Sequence, residues 1–177
     1  MNKRKNTIDE LSFKHNLVVF FITTFPEDFI KLFLNFGKSH KNLLSHEFVA
    51  VYPEPPLIIK DRKTGKVKAI RIADFLLILK HKQKDVYYGI VGEITFCKKP
   101  SERKLEQIKK FFDNRYKICN LYKYKTNQRY LMIISPQSFF NTLPNELKEN
   151  PYVIHFDVNF VLKKAKTIIK QKIEELI

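Results

Sequence analysis

The sequence predicts a mixed α/β (α+β) domain with a central mixed β-sheet built on a three-stranded meander and flanked by helices. Three observations carry this. Three β-branched and aromatic runs follow one another between residues 57 and 96, separated by polar turns at 61–66 and 80–84. Helical apolar spacing brackets that block on both sides. At 177 residues and 44% hydrophobic, the chain fits one domain, 1–177, with enough apolar surface to bury a core.

The elements follow in order. Residues 1–16 are polar and read as a flexible N-terminal segment. The apolar run Leu17–Phe25 is far shorter than the roughly 20 residues of a membrane span and has no small-residue cleavage site after it. It reads as a buried core segment of a cytoplasmic protein. Thr24-Phe25-Pro26-Glu27 has the form of a capping box with proline near the helix start, and the helix runs to Phe36 with Gly37 as its stop. Residues 38–48 read as a further helical stretch. Tyr52-Pro53-Glu54-Pro55-Pro56 is extended, because each proline disfavours helix in its predecessor. Leu57–Lys60 and Val67–Leu79 form a hairpin around Gly65, and Asp85–Phe96 adds the third strand of the meander.

Ser101 caps a helix whose Leu105, Ile108, Phe111 and Phe112 share a face. Strands are expected at Tyr116–Lys125, where apolar and basic residues alternate, and at Arg129–Ser135. Ser135-Pro136 opens a short helix ending near Leu143-Pro144, and Tyr152–Phe156 is extended. The amphipathic C-terminal helix, 157–177, shows Val158, Val161, Leu162, Ala165, Ile168, Ile169, Ile173 and Leu176 in one stripe. That stripe packs on its own domain or forms a homodimer contact.

Charge narrows the partner. Against 18 acids stand 33 basic residues, 27 of them Lys, for a net charge of +15. A folded surface this positive favours nucleic acid, then an anionic membrane surface, and disfavours a housekeeping enzyme of small neutral metabolites. Part of the lysine excess is also what an AT-rich genome produces. Basic residues concentrate at 60–71 (Lys60, Arg62, Lys63, Lys66, Arg71), at 98–129 (Lys99, Arg103 and Lys104 among them) and on the last helix. Such groups hold phosphates without reading sequence. Cys97 and Cys119 form no CxxC or Cys/His cluster, so zinc is not expected and both read as buried thiols.

Two acids run against this charge. Asp74 and Glu93 sit inside the apolar strands Arg71–Leu79 and Tyr88–Thr95, where a carboxylate needs a metal, a basic partner or exposure at a sheet end. Arg71 is one basic partner in reach of the sequence. If Leu79 pairs with Val86, Asp74 lies opposite Val91, and Asp74 and Glu93 become diagonal neighbours on one face, about 7 Å apart. That spacing suits a shared Mg²⁺ or Mn²⁺, whose bound water hydrolyses phosphodiesters.

Asp74 with Glu93-Ile94-Thr95, on the second and third strands of a meander that follows a helix, resembles the PD-(D/E)XK nuclease superfamily and its restriction-endonuclease-like fold. The resemblance covers roughly residues 25–135 in element order. It implies Asp74 and Glu93 as metal ligands, with Glu47, and behind it Glu27 and Glu54, as an additional acid from the preceding segment. Thr95 stands where the family has its lysine. The resemblance makes Lys98 the displaced catalytic lysine, with Lys99 and Lys104 next. It implies a metal-dependent DNA endonuclease, with DNA rather than RNA as partner and a homodimer as a working form. The alternative is a non-catalytic basic nucleic-acid-binding protein with a degenerate nuclease-like fold. A third reading is a structural or interaction protein that is basic through codon bias alone.

Overall fold

The computed structural model describes residues 2–36, 45–60, 64–112, 117–126 and 128–177. Two helices come first, α1 (Asn2–Thr24) and α2 (Pro26–Phe36). The strands β1 (His46–Pro53), β2 (Pro56–Lys60), β3 (Val67–Ile72), β4 (Phe75–His81) and β5 (Tyr87–Ile94) follow. Then come α3 (Glu102–Phe112), β6 (Lys117–Ile118), a 3-10 segment Cys119–Tyr124 and β7 (Arg129–Ser135). The chain closes with α4 (Gln137–Asn141), α5 (Asn145–Lys148), β8 (Val153–Asp157) and α6 (Val158–Glu174).

The main sheet is five-stranded and mixed, in the order β1-β4-β5-β7-β8. β4 runs antiparallel to both neighbours, while β5, β7 and β8 are parallel. Parallel neighbours need crossovers, and α3 and the α4–α5 pair supply them. The central strands are apolar on both faces, as a sheet covered on both sides requires. On one face Phe75, Leu77, Ile90, Ile94, Met132 and Ile154 pack with Val18, Phe21 and Ile22 of α1, Phe29 of α2, and Val158, Val161 and Ala165 of α6. On the other, Leu76, Ile78, Val91, Leu131, Ile133 and Val153 pack with Ile108 and Phe111 of α3, Phe139 of α4 and Leu147 of α5. The fold is therefore mixed α+β, a sheet between two helical layers.

Several features differ from the sequence expectation. The helix begins at Asn2 rather than after residue 16, because residues 2–24 continue one helical register into the buried Val18, Phe21 and Ile22. The meander is β1-β4-β5, not 57–60, 67–79 and 85–96. The run Val67–Leu79 breaks at Ala73-Asp74, where the chain leaves one sheet for another. β2 and β3 belong to a second sheet, ordered β3-β2-β6. The two ladders form one bent ribbon: β1 pairs with β4 up to Pro53–Phe75, and β2 with β3 from Pro56–Ile72. At the bend the Glu54 N–H donates to the Asp74 carbonyl (3.2 Å) and the Ala73 N–H to that of Pro55 (3.3 Å). The expected strand Tyr116–Lys125 is not continuous over its described residues, 117–125. Only Lys117–Ile118 pair, with Leu57–Ile58, and the chain then turns so that Leu121 is buried. Alternation specifies a strand only where a partner edge is available. His46–Phe48 lie in β1, whereas Gly37 and 38–44 lie outside the described residues. Cys97 is exposed rather than buried.

Gly92 determines how closely β4 and β5 approach. It pairs with Phe75, and a Cβ at Gly92 would lie 2.0 Å from the Phe75 ring. Phe75 is fully buried, with Phe29 edge-on at 6.0 Å, so its ring has no room to withdraw. Gly92→Ala is expected to cost about 2–3 kcal/mol, the upper end for overpacking a core. Urea denaturation measures it, and an unchanged midpoint would contradict the packing described.

Candidate active site at the carboxyl edge of the sheet

The ends of β1, β5, β7 and β8 and the start of β4 lie along one edge of the main sheet. In open α/β sheets, ligands bind outside the carboxyl ends of the strands, where loops and helix starts converge. Both embedded acids lie at this edge. Asp74 occupies the bend before β4, and Glu93 precedes the last residue of β5.

The β4–β5 register runs through Phe75–Gly92, Leu77–Ile90 and Leu79–Tyr88. Leu79 thus pairs with Tyr88 rather than Val86, a shift of two that preserves the facing of side chains. The regular ladder ends at Phe75–Gly92, one residue short of both acids. The Asp74 N–H donates to the Gly92 carbonyl at 3.0 Å. Its carboxylate Oδ2 accepts the Ile94 N–H at 2.5 Å, and Oδ1 lies 3.2 Å from Nε2 of His15.

Glu93 is only 2% exposed. A charge buried so deeply must be compensated. Lys104 Nζ forms an ion pair with Glu93 Oε1, and Gln107 Nε2 donates to Oε2 at 2.9 Å. Both partners come from α3, where i, i+3 spacing directs them to the sheet beside the buried Ile108. Ser101 caps this helix, its Oγ accepting the Lys104 N–H at 3.2 Å, and so fixes where Lys104 begins. Thr95 has a backbone role: its N–H continues the parallel ladder to Ile134 (2.9 Å), and its Oγ1 accepts the Cys97 N–H (3.2 Å).

The other expected residues disperse. Glu47 pairs with Lys80 at the opposite end of β1, six residues and about 20 Å from the edge of Asp74. It does not join the two acids, because the expected helix over 38–48 gives way to β1. Glu27 is in the first turn of α2. Glu54 is the acid whose backbone meets Asp74, and it holds φ 46°, a left-handed conformation that costs a non-glycine residue about 1–2 kcal/mol. Lys98 and Lys99 are exposed between β5 and α3, and Lys104 rather than Lys98 meets Glu93. Arg103 and Lys66 are exposed, and Gly65 carries the turn at φ 69°. Lys60 lies on β2 and Arg71 on β3; Arg62 and Lys63 lie outside the described residues.

His15 is the residue that sequence reasoning missed. It sits in α1, 59 positions before Asp74, within the segment expected to be flexible. No local pattern marks it. The hydrogen bond to Asp74 raises the His15 pKa above the ordinary imidazole value, burial opposes the rise, and nearby Lys104 also opposes it. A raised folded-state pKa means that this contact stabilises the fold below about pH 6.5 and that the contribution is lost as pH climbs through the folded value. His15→Gln is therefore expected to narrow the stability gap between mildly acidic and alkaline conditions. Thermal melts of both proteins from about pH 5.5 to 8.5 test it; a gap that widens with pH would contradict the assignment.

Among the described residues, no group of three or more His, Cys, Asp or Glu side chains is gathered to hold a metal ion, and no helix is long and apolar enough to cross a membrane. Comparison with protein-family models, with curated proteins and with solved structures finds no match.

Proposed function

We propose that this protein is a metal-dependent, nuclease-type phosphodiesterase acting on DNA, with a restriction-endonuclease-like arrangement of its sheet. One observation carries the reading: Asp74 and Glu93 both lie at the carboxyl edge of the sheet, Asp74 Oδ2 accepting the N–H of Ile94 next to Glu93, with a lysine ammonium on the more buried acid. Helices precede a three-stranded meander, an acid lies at the start of its second strand and another near the end of its third, and a helix and parallel strands follow. That order supports the resemblance.

Asp74 and Glu93 would hold the ion, with waters filling the rest of its shell; His15, hydrogen-bonded to Asp74 Oδ1 at 3.2 Å, is not gathered with both acids as a third ligand. Each carboxylate oxygen has two lone pairs, so Glu93 can keep Lys104 and Gln107 and still ligate. Two carboxylates suit Mg²⁺ or Mn²⁺. When bound, the ion supplies a water acidified toward neutrality and neutralises charge on phosphate. Lys104 takes the part assigned to the displaced lysine: it orients Glu93 and places a cation at the site. Exposed Lys66, Lys99 and Arg103 supply phosphate contacts that position the backbone without selecting sequence.

The test is incubation of plasmid and branched DNA with the protein and Mn²⁺, Mg²⁺ or EDTA. Metal-dependent cutting is the expected result, and absence of cutting under all conditions sinks the enzymatic reading.

A second reading, a non-catalytic nucleic-acid-binding protein on the same scaffold, is favoured by one fact: both Glu93 oxygens already have protein partners. Salt-sensitive DNA binding that is equal in metal and EDTA, with no cleavage, would select it.

A further inference from the structure

The outer side of the α1–α6 pair carries apolar side chains beyond those the core buries, next to Leu17 and Ile169, which pack on the core's margin. Val18, Phe21 and Ile22 bury one side of α1 against the sheet. A second stripe, Phe13, Leu17 and Phe20, runs at i, i+4 and i+7 on another side. Phe13 is 63% and Phe20 48% exposed. On α6, Ile169 and Ile173 stand one turn apart and Leu176 follows just past the helix end, with Ile173 53% and Leu176 87% exposed. Between the stripes lies a groove of about 350 Å³ with Leu17, Ile169 and Ile173 in its lining and Lys166, Lys170 and Glu174 on its rim. A soluble surface rarely leaves large side chains contiguous unless something covers them.

We propose that this groove docks an acidic amphipathic helix of a partner protein, independently of the reading of Asp74 and Glu93. Shape selects a helix: the groove lies between two helices, and side chains at i, i+3, i+4 and i+7 of a third fill it. Charge selects acidity. Lys170 is engaged by Glu174 at 3.6 Å, whereas Lys166 forms no ion pair among the described residues, and Lys163 is also exposed on α6. A partner bearing Glu or Asp beside its apolar ridge meets these lysines at the rim. A second copy of this chain would bring a further +15 against the same lysines. A bilayer is flat and does not fill a groove.

The probe is a fluorescent helical peptide of about 18 residues with leucine at i, i+3, i+4 and i+7 on a glutamate background. Its twin carries lysine for glutamate. Anisotropy titration of the full chain should show binding of the acidic peptide alone, weakened by salt. Ile173→Glu should weaken it at least about tenfold and Lys166→Glu by a smaller factor. Both positions are exposed, so neither variant should change the thermal midpoint. Equal binding of both peptides, or of neither, overturns the proposal. So does dimerisation in sedimentation velocity that Ile173→Glu abolishes, which assigns the face to a second copy. Flotation with phosphatidylcholine–phosphatidylserine vesicles that Ile173→Glu abolishes assigns it to a membrane surface instead.

Discussion

Under the proposed nuclease function, Asp74→Asn is expected to lower metal-dependent DNA cleavage about 10³-fold while leaving the fold intact. Asparagine keeps a side-chain carbonyl oxygen where Asp74 Oδ2 accepts the Ile94 N–H, so the bend before β4 retains its cross-strand tie. It loses the charge that would neutralise a divalent ion and that holds His15 through Oδ1. Metal coordination contributes several kcal/mol to stabilising transition-state charge, and each 1.4 kcal/mol is a decade in rate. Asp74→Ala is a poorer test, because it also strips the Ile94 N–H of its acceptor, at a further cost of about 1–3 kcal/mol in stability. The two effects separate when nicking rates are compared with thermal midpoints: Asp74→Asn should lose rate alone, Asp74→Ala both. Wild-type cleavage by Asp74→Asn would remove Asp74 from the site.

Lys104→Ala should destabilise the protein by about 3 kcal/mol, and Glu93→Gln in the same chain should recover much of that loss. Removing one partner of a buried ion pair leaves an uncompensated charge, which costs about 3–5 kcal/mol in fully buried cases. The lower end applies because the Lys104 side chain is 26% exposed while Glu93 is 2% exposed. Glu93→Gln alone should cost less than Lys104→Ala, since the lysine can turn its ammonium to water whereas the carboxylate cannot leave the sheet. Gln107 Nε2 can still donate to the side-chain carbonyl of a glutamine at 93. Urea denaturation of the wild type, both single variants and the double variant gives the coupling energy. Additive losses would mean that Lys104 does not neutralise Glu93.

The sequence by itself determined the elements with strong local signals. The helices α2, α3 and α6, the Ser101 cap, the turn at Gly65 and the strands β5 and β7 are all present close to their expected limits. It also isolated Asp74 and Glu93, because carboxylates inside apolar strands are costly wherever the strands go. Even with the register off by two, the pairing of β4 with β5 brought both acids to the same end of the ladder.

The tertiary structure alone decided which strands pair and which residues surround the acids. Nothing local distinguishes Val67–Leu79 as one strand from two strands in different sheets; the break at Ala73-Asp74 follows from pairing with the Glu54-Pro55 bend. Tyr116–Lys125 alternates as a strand does but finds only two residues to pair with. Lys98 is nearer to Glu93 in sequence than Lys104, yet the loop carries it into solvent, while the first turns of α3 return Lys104 and Gln107 to the sheet. Glu47 lost its place through the same kind of distant choice, when β1 put it at the far end from Asp74. His15 entered the site because α1 packs across the sheet and brings residues far apart in the chain within hydrogen-bonding distance. Periodicity and cost of burial act on neighbours in the chain and are legible there. Proximity across a sheet arises from packing the whole core, and no single segment encodes it.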